Sequence, residues 1–437
     1  MSGQFKLLSE RRFLPLFATQ FLGAFNDNVL KNALVILIAF QGARLTSADP
    51  KLMVNACAGI FILPFFLFSA TAGQLADKYE KSQLIRFVKV LEIAIMLIAG
   101  SGFLLPSLPL LLTGLFLMGI HSTLFGPLKY SILPQHLHED EMIGGNGLIE
   151  SGTFLAILLG TILGGSLIGL GDAGPGYAAG ACLSIAVLGY LASRSIPLAP
   201  APEPGLRVNW NPLTETWRSL RFAKQNRAVF LSILGISWFW FYGAMFLSQF
   251  PSYARDNLGG SESVVTLLLA IFSIGIGLGS LLCEKLSHKH VEPGIVPLGS
   301  IGLSLFALDL WYASPAGGAN NHLSVGQFLA QPGSLRILAD LVLIGVFGGF
   351  YCVPLYTLMQ TRSEASHRSR VIAANNIVNA LFMVVAALLA MALLAAGCSV
   401  PQLFLATALL NALVAAYIYS VTPEYLNRFF AWLSGKP

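Results

Sequence analysis

The clearest shortage in this 437-residue sequence is charge. Asp, Glu, Lys and Arg make up 11% of the chain, whereas a soluble domain usually contains about 25%. Hydrophobic residues reach 55%, so a soluble globular fold is excluded and lipid is the expected surrounding of most of the chain. The net charge of +5 comes from short loops between apolar runs, which fits membrane topology better than a nucleic-acid surface. No nucleic-acid partner is expected.

Motifs of enzymes and metal sites are also missing. The five cysteines lie in or beside apolar runs and form no CxxC pair or Cys/His cluster with metal-ligand spacing. There is no Walker loop, GxSxG or HEXXH motif, and no histidine is followed five residues later by aspartate as in acyltransferases. The nearest candidate, HLHEDE at His136 to Glu141, is interpreted as a loop. We therefore expect neither an enzyme nor a bound metal or cofactor.

Apolar runs long enough to cross about 30 Å of hydrocarbon as helices recur along the whole chain. The first is too long for the apolar region of a signal peptide and should remain as helix one. An even number of spans places both termini on the same side. The predicted helices one to twelve cover 13–40, 52–76, 82–104, 108–127, 143–170, 176–197, 228–251, 263–284, 294–314, 336–359, 371–397 and 401–421.

The distribution of Lys and Arg predicts the orientation. One set of loops, with both termini, holds 21 of the 26 basic residues, among them Lys89, Lys129, Lys289 and Lys436. The other set holds four (Arg44, Lys51, Arg255, Arg336), and Lys31 lies inside helix one. By the positive-inside rule both termini are cytoplasmic.

Two halves of the chain resemble each other. GPLKYSILPQ ends helix four as CVPLYTLMQ ends helix ten, with prolines 227 residues apart, and Asn146 and Asn375, 229 apart, open helices five and eleven. Between the halves lies a proline-rich, basic segment in which Trp210 to Lys224 fits a surface amphipathic helix. We predict an N-terminal six-helix bundle at 1–197, a cytoplasmic linker at 198–227 and a C-terminal six-helix bundle with a short tail at 228–437.

The end of helix two carries the segment GQLADKYEKSQLIR, Gly73 to Arg86. It resembles the cytoplasmic signature of the major facilitator superfamily, and GSLLCEK at Gly279 to Lys285 is a weak second copy. The fold class is therefore predicted to be an all-α membrane protein with the twelve-helix fold of that superfamily. A glycine permits close helix approach, and an aspartate accepts hydrogen bonds at a helix terminus and pairs with basic side chains. The predicted gating residues are Gly73, Asp77, Lys78, Lys81 and Arg86, although Glu80 stands where the signature has glycine.

Polar residues inside helices one and four are candidates for function, because a charge at the bilayer centre costs about 2.5–3.5 kcal/mol on insertion scales. Asp27 and Lys31 share a face of helix one and form an (i, i+4) pair, which is either part of a polar chamber or a structural salt bridge. On helix four, His121 is either structural or a substrate contact, and Lys129 either contacts substrate or extends to the interface. Pro127 between them should kink the helix.

Further candidates lie on helices five, seven and eleven. Asn146, Glu150, Thr153, Gly160 and Gly164 form one stripe of helix five, and Asn375, Asn379 and Ala386 form the matching stripe of helix eleven. Both stripes are predicted to face a central cavity. Helix seven has Gln249 near its outer end and five aromatics at Trp238 to Tyr242, which either form an interface belt or line an acyl-chain path.

The blocks FLGAFNDNVLKNAL, GPLKYSIL and NGLIESGTFLAILLG resemble the lysophospholipid transporters of bacterial inner membranes. The resemblance is strongest to the transporter module that some bacteria fuse to acyltransferase and acyl-carrier-protein synthetase domains. It implies inward flipping of lysophosphatidylethanolamine-like lipids. Carried over residue by residue, it points to Asp27 and Asn28, to Lys129 and Tyr130, and to Asn146 and Glu150. Separately encoded members have a basic residue in helix seven, which is absent here, so Lys31 or Lys129 is expected to meet the phosphate.

The expected substrate is thus a lysophospholipid, moved by alternating access and re-acylated by a separate acyltransferase, because the chain ends at Pro437 without room for such a domain. Contacts with membrane lipids and a monomeric state are expected. The competing hypothesis is a proton-coupled exporter of drugs, siderophores or small metabolites, with Asp27 or Glu150 as the proton carrier.

Overall fold

The computed structural model describes residues 3–41, 45, 49–288, 290–315, 317 and 322–434, apart from the side chains of residues 40, 41, 50 and 51. Of the basic residues counted for topology, Arg44, Lys289 and Lys436 therefore lie outside the described residues, as does the side chain of Lys51.

The described residues form twelve helices that are long and apolar enough to span a membrane, which confirms the prediction of a multi-pass, all-helical protein. Helices one to twelve are Leu14–Gln41, Pro50–Lys78, Lys81–Leu104, Leu108–Ser131, Met142–Ile168, Gly174–Ser193, Arg227–Ser252, Glu262–Leu286, Ile295–Ala313, Ser334–Arg362, Arg368–Ala395 and Val400–Val421. Short helices occur at Leu133–His136 and Val325–Leu329, a linker helix at Pro212–Gln225, and a C-terminal helix at Glu424–Leu433.

The helix ends follow the local sequence. Glu80 accepts hydrogen bonds from the amides of Ser82 and Gln83 at the start of helix three, and Ser399 forms a capping box with Gln402 at the start of helix twelve. Helix four was predicted to end at Pro127 but continues to Ser131. Proline is tolerated inside a spanning helix where neighbouring groups satisfy the freed carbonyl.

Contacts within the chain define two compact units. The first unit comprises the described residues of Met1–His138, Leu155–Arg227 and Gln360–Ile377, and the second comprises those of Glu139–Phe154, Ala228–Met359 and Val378–Pro437. The start of helix five thus groups with the second unit, and the start of helix eleven with the first. The division at 197 and 228 along the sequence stays a prediction.

In the first unit, helix two packs against helix four, and helix three packs against helices four and six. Its apolar core includes Leu30 of helix one, Met96 of helix three, Leu115 of helix four and Ile185 of helix six. This core holds the polar groups of helices one, three and four in place, as described below.

In the second unit, helices eight and ten meet at their backbones. A Cβ atom on Gly275 or Gly279 of helix eight would overlap backbone atoms of Val342 or Val346 in helix ten. Gly345 and Gly349 of helix ten face helix eight in the same way. Small residues at such positions permit membrane helices to approach each other this closely.

Candidate functional site

Asp27 and Lys31 of helix one, which the sequence assigns either to a polar chamber or to a structural salt bridge, each contact a different neighbouring helix. Oδ2 of Asp27 accepts a 2.7 Å hydrogen bond from the Ser122 hydroxyl on helix four, and Oδ1 has no hydrogen-bond partner among the described residues. Nζ of Lys31 lies 4.4 Å from the centroid of the Phe61 ring. Helix one thus presents a carboxylate and an ammonium group that are both partly buried, the first bonded to helix four and the second placed over an aromatic ring of helix two.

Helix five packs closely against helix one beside this pair. A Cβ atom on Gly160 or Gly164 would meet the carbonyl oxygen of Phe25 or Val29, each at 2.6 Å. These two glycines therefore contact the backbone of helix one and do not face a cavity, so the prediction that Gly160 and Gly164 line a central cavity was wrong. Asn28 donates to the Ala24 carbonyl of its own helix at 2.7 Å and is 8% exposed.

Lys129 and Tyr130 lie in the last turn of helix four. Nζ of Lys129 is 4.6 Å from the Tyr130 ring centroid, and the Tyr130 side chain is buried whereas Lys129 is half-buried. Stacking on an aromatic face restrains the lysine near the helix end. This placement suits either of the two predicted roles of Lys129.

A buried charge cluster on helices one, three and four was missed by the sequence reasoning. Nζ of Lys89 lies 2.6 Å from Glu92 Oε2, Nε2 of His121 lies 3.3 Å from the same oxygen, and Asn26 donates to Glu92 Oε1 at 2.7 Å. All four side chains are essentially inaccessible to solvent. Assigning Lys89 to a cytoplasmic loop was therefore wrong: it lies inside helix three, where a carboxylate three residues later neutralises it.

Two glycines make room for the Lys89 amine. A Cβ atom on Gly23 of helix one would lie 2.8 Å from Lys89 Nζ, and one on Gly189 of helix six would lie 3.4 Å away. The Phe125 ring centroid is 5.2 Å from the amine. The cluster lies next to the Asp27 site along the chain. Asn26 of the cluster directly precedes Asp27, and His121 directly precedes Ser122, the partner of Asp27.

The other predicted polar residues are distributed over both units. In the second unit, Asn146 donates to Thr357 Oγ1 at 3.1 Å, Asn379 accepts from Ser237 at 2.7 Å, and Gln249 donates to Ser248 at 3.1 Å. Glu150 is 1% exposed. Asn375, in the first unit, is fully buried, and neither of its side-chain amide atoms has a hydrogen-bond partner in the part of the chain that the structure describes.

Most of the helix-seven aromatics form the interior of the second unit. Trp238, Phe239, Phe241 and Tyr242 are each at most 6% exposed. Trp240 is partly exposed, donates to the Tyr356 hydroxyl at 3.2 Å and stacks on Phe154 with ring centroids 6.3 Å apart. Trp240 is therefore the aromatic of this run that can meet an apolar ligand.

Asp77, at the end of helix two, lies at the start of helix eleven. Its carboxylate accepts hydrogen bonds from the backbone amides of Ser369 and Arg370 at 3.1 and 3.3 Å, and from Nε of Arg370 at 3.1 Å. A carboxylate at a helix N-terminus is stabilised by the exposed amides and the helix dipole. This is the arrangement that the helix-two segment predicted for Asp77.

The neighbouring gating candidates have different contacts. A Cβ atom on Gly73 would be 2.7 Å from that of Ala373 and 2.8 Å from Arg370 Cα, so the glycine is needed for this helix approach. Lys81 is buried, Lys78 lies 5.6 Å from the Tyr79 ring, and Arg86 donates to the Ile196 carbonyl at 3.2 Å.

The segment that precedes the linker helix is attached to helices two and eleven and to the start of helix three. Oε1 of Glu80 accepts from the Ala199 amide at 2.7 Å, Gln74 exchanges two hydrogen bonds with the backbone of Asn209, and Glu203 pairs with Arg370. Burial acts in the opposite direction, but the amides of Ala199, Ser82 and Gln83 lower the pKa of Glu80 below its usual range. At the position where the signature has glycine, Glu80 therefore accepts a hydrogen bond from the linker.

Comparison with known proteins identifies relatives over most of the chain. The sequence profile of the Major Facilitator Superfamily matches residues 16–387. The Lysophospholipid transporter LplT of Cronobacter sakazakii is 29% identical over 369 residues, covering 82% of each chain, and that of Escherichia fergusonii is 30% identical over 355 residues, covering 80% of each. The crystal structure of the Escherichia coli fucose:proton symporter FucP matches with a TM-score of 0.69 at 14% identity, over 93% of this chain and 97% of FucP.

Proposed function

Since the chain belongs to the Major Facilitator Superfamily, and within it to the family of the lysophospholipid transporters, we propose that it carries lysophospholipids across the membrane. The family and the fold make the chain a multi-pass membrane transporter. The proposal adds the substrate class, with lysophosphatidylethanolamine as the representative, and alternating access as the mechanism. It also places the protein in a bacterial inner membrane with cytoplasmic termini.

The observation that carries the proposal is the pair of contacts that Asp27 and Lys31 make with different helices. A phosphoethanolamine headgroup has one phosphate and one ammonium group, and helix one offers one ammonium and one carboxylate, held by Phe61 of helix two and Ser122 of helix four. The free Oδ1 of Asp27 is a suitable acceptor for the substrate ammonium. Lys31, whose described contact is the Phe61 ring, is a suitable donor to the phosphate.

Lys129, which belongs to the same unit, extends this site in the proposal. Lys129 would meet the phosphate when the headgroup lies nearer the cytoplasmic end of helix four. Glu150, Asn146, Asn379, Asn375 and Gln249 stay candidates for polar contacts with the substrate, and Trp240 is the candidate for contact with an acyl chain. The Asp77 contacts with the start of helix eleven would hold the cytoplasmic gate closed and would break when it opens.

Uptake by proteoliposomes of two lysolipids tests the headgroup assignment. Asp27→Asn should weaken transport of lysophosphatidylethanolamine by about 10–100-fold, since a hydrogen bond to a charged group contributes about 1.5–3 kcal/mol. Transport of lysophosphatidylglycerol, which lacks the ammonium, should change much less. Lys31→Met should weaken both, because both substrates carry the phosphate.

Asp309→Asn is the matched control, because Asp309 also lies in a spanning helix but is bound by two nitrogens of Arg336. It should leave the ratio of the two substrates unchanged. Undiminished uptake by both helix-one variants would remove Asp27 and Lys31 from the site. Transport that stops when the proton gradient is removed, together with an absence of lysolipid uptake, would favour the proton-coupled exporter.

A further inference from the structure

The linker helix, Pro212–Gln225, has an unusual distribution of polar and apolar side chains. The face that contacts the protein includes Glu215, Ser219 and Ala223, all fully buried. On the opposite face Leu213 is 81% and Trp217 61% exposed. A helix that lies between a protein and water normally turns its large apolar residues inward. The outer face of this helix is therefore better suited to an apolar or interfacial environment than to water.

In the same segment the basic side chains are exposed to solvent, whereas the acidic side chain is buried against the protein. Residues 207–227 contain five basic side chains, all exposed: Arg207, Arg218, Arg221, Lys224 and Arg227. The single acidic residue of the segment, Glu215, is buried against the protein, and this burial raises the pKa of its carboxyl group. Nζ of Lys224 lies 5.7 Å from the Trp217 ring centroid. Tryptophan and leucine beside basic residues are typical of helices that lie in the headgroup region of a membrane.

We propose that the outer face of the linker helix, formed by Leu213, Trp217, Arg221 and Lys224, docks on anionic lipid headgroups of the leaflet beside it. The apolar side chains enter the boundary between headgroups and acyl chains, and the basic side chains meet lipid phosphates. Charge complementarity selects a lipid surface as the partner, because the exposed part of the segment carries no acidic group.

The inner face of the helix connects this docking surface to the gate. The Phe222 ring stacks on His367 with centroids 4.4 Å apart, and the Arg370 guanidinium carbon lies 5.0 Å from its centroid. Arg370 is the residue that pairs with Asp77. Lipid binding that holds the linker helix in this position therefore stabilises the contacts at Asp77. This second step rests on the proposed function of those contacts, whereas the docking surface does not.

Collision of a nitroxide label with oxygen or with a water-soluble nickel chelate tests the docking surface directly. The label is placed at Leu213→Cys or Trp217→Cys in a Cys398→Ser background, because Cys398 is the one cysteine that is not buried. In vesicles containing anionic lipid, both labels should collide several-fold more with oxygen than with the chelate. Arg218→Cys, which is exposed and lies about 140° around the helix from Leu213, is the matched control and should show the reverse.

Chelate accessibility at Leu213 and Trp217 equal to that at Arg218 would overturn the proposal. Protection that appears only when the protein-to-lipid ratio is raised would assign the face to a second protein copy and overturn it equally. Lysolipid uptake gives the second readout: wild-type uptake should depend on the fraction of anionic lipid, and Arg221→Gln with Lys224→Gln should lose most of that dependence. If the wild type takes up no lysolipid, the proposed function fails while the label measurement still decides the docking surface.

Discussion

Two buried polar networks, one in each unit, are built from opposite chemistry. Helices one, three and four of the first unit share the ionic cluster of Lys89, Glu92 and His121. Helices seven, nine and twelve of the second unit share a neutral network, in which Asn411 accepts from Trp238 at 2.7 Å and donates to the Ser300 carbonyl and the Ser304 hydroxyl, each at 2.9 Å.

The difference determines how each network responds to the loss of one member. An ionic cluster sealed from water depends on charge balance, because an uncompensated charge in an apolar interior is very costly. A neutral network loses one hydrogen bond at a time and leaves at worst one unsatisfied dipole. The first unit should therefore be the more sensitive to single substitutions, and the second the more tolerant.

Glu92→Gln should have the largest effect on stability. It leaves the Lys89 amine without its carboxylate in a pocket closed by Gly23, Gly189 and Phe125. Removal of one partner of a buried pair costs about 3–5 kcal/mol. Thermal unfolding of the purified protein in detergent measures the effect.

The double variant Glu92→Gln/Lys89→Met is the control for this prediction. It removes both charges at similar volume and should recover most of the lost stability. A single variant as stable as the wild type, or a double variant no better than the single one, would show that charge balance does not govern this cluster.

Trp238→Phe should have a smaller effect on the neutral network. The aromatic ring is kept, but Asn411 Oδ1 loses its donor while the amide nitrogen keeps both acceptors. An unsatisfied buried acceptor costs about 1–3 kcal/mol. A loss as large as that of Glu92→Gln in the same unfolding assay would contradict the comparison.

Glu80→Ala extends the comparison to a half-exposed carboxylate at a helix end. Loss of this cap should cost about 0.5–2 kcal/mol at neutral pH. Because the folded pKa of Glu80 is lowered, its contribution is present above the unfolded pKa and disappears as the pH falls through the folded value. Unfolding measured from pH 7 to pH 3 should converge for wild type and variant at the acidic end, and Ser82→Ala, which removes a single donor to Glu80, should give a weaker trend.

Sequence predicted the helices well because each spanning helix needs a long apolar run of its own. The predicted and observed ends differ mainly where proline or a terminal turn is involved, as at Pro127. That Asp77 accepts hydrogen bonds at a helix terminus was also predictable, since the short segment at Gly73 to Arg86 combines a glycine, a carboxylate and basic residues in a fixed order, but the sequence did not indicate that the helix is the eleventh.

The ionic cluster was missed because its members belong to different helices. Lys89 lies close enough to the start of helix three to be counted with loop charges. The available signal was the pairing of Lys89 and Glu92 three residues apart inside an apolar run, which places both on one face. The alternative partners of Asp27 and Lys31 were not readable either, because Ser122 and Phe61 reach them only through tertiary packing.

The glycine contacts between helices eight and ten have a mechanical consequence. Where two helices touch at their backbones, neither can slide or rotate along the other without a steric collision at Gly275, Gly279, Gly345 or Gly349. We therefore expect the two helices to move together, so that a displacement of helix ten also displaces helix eight.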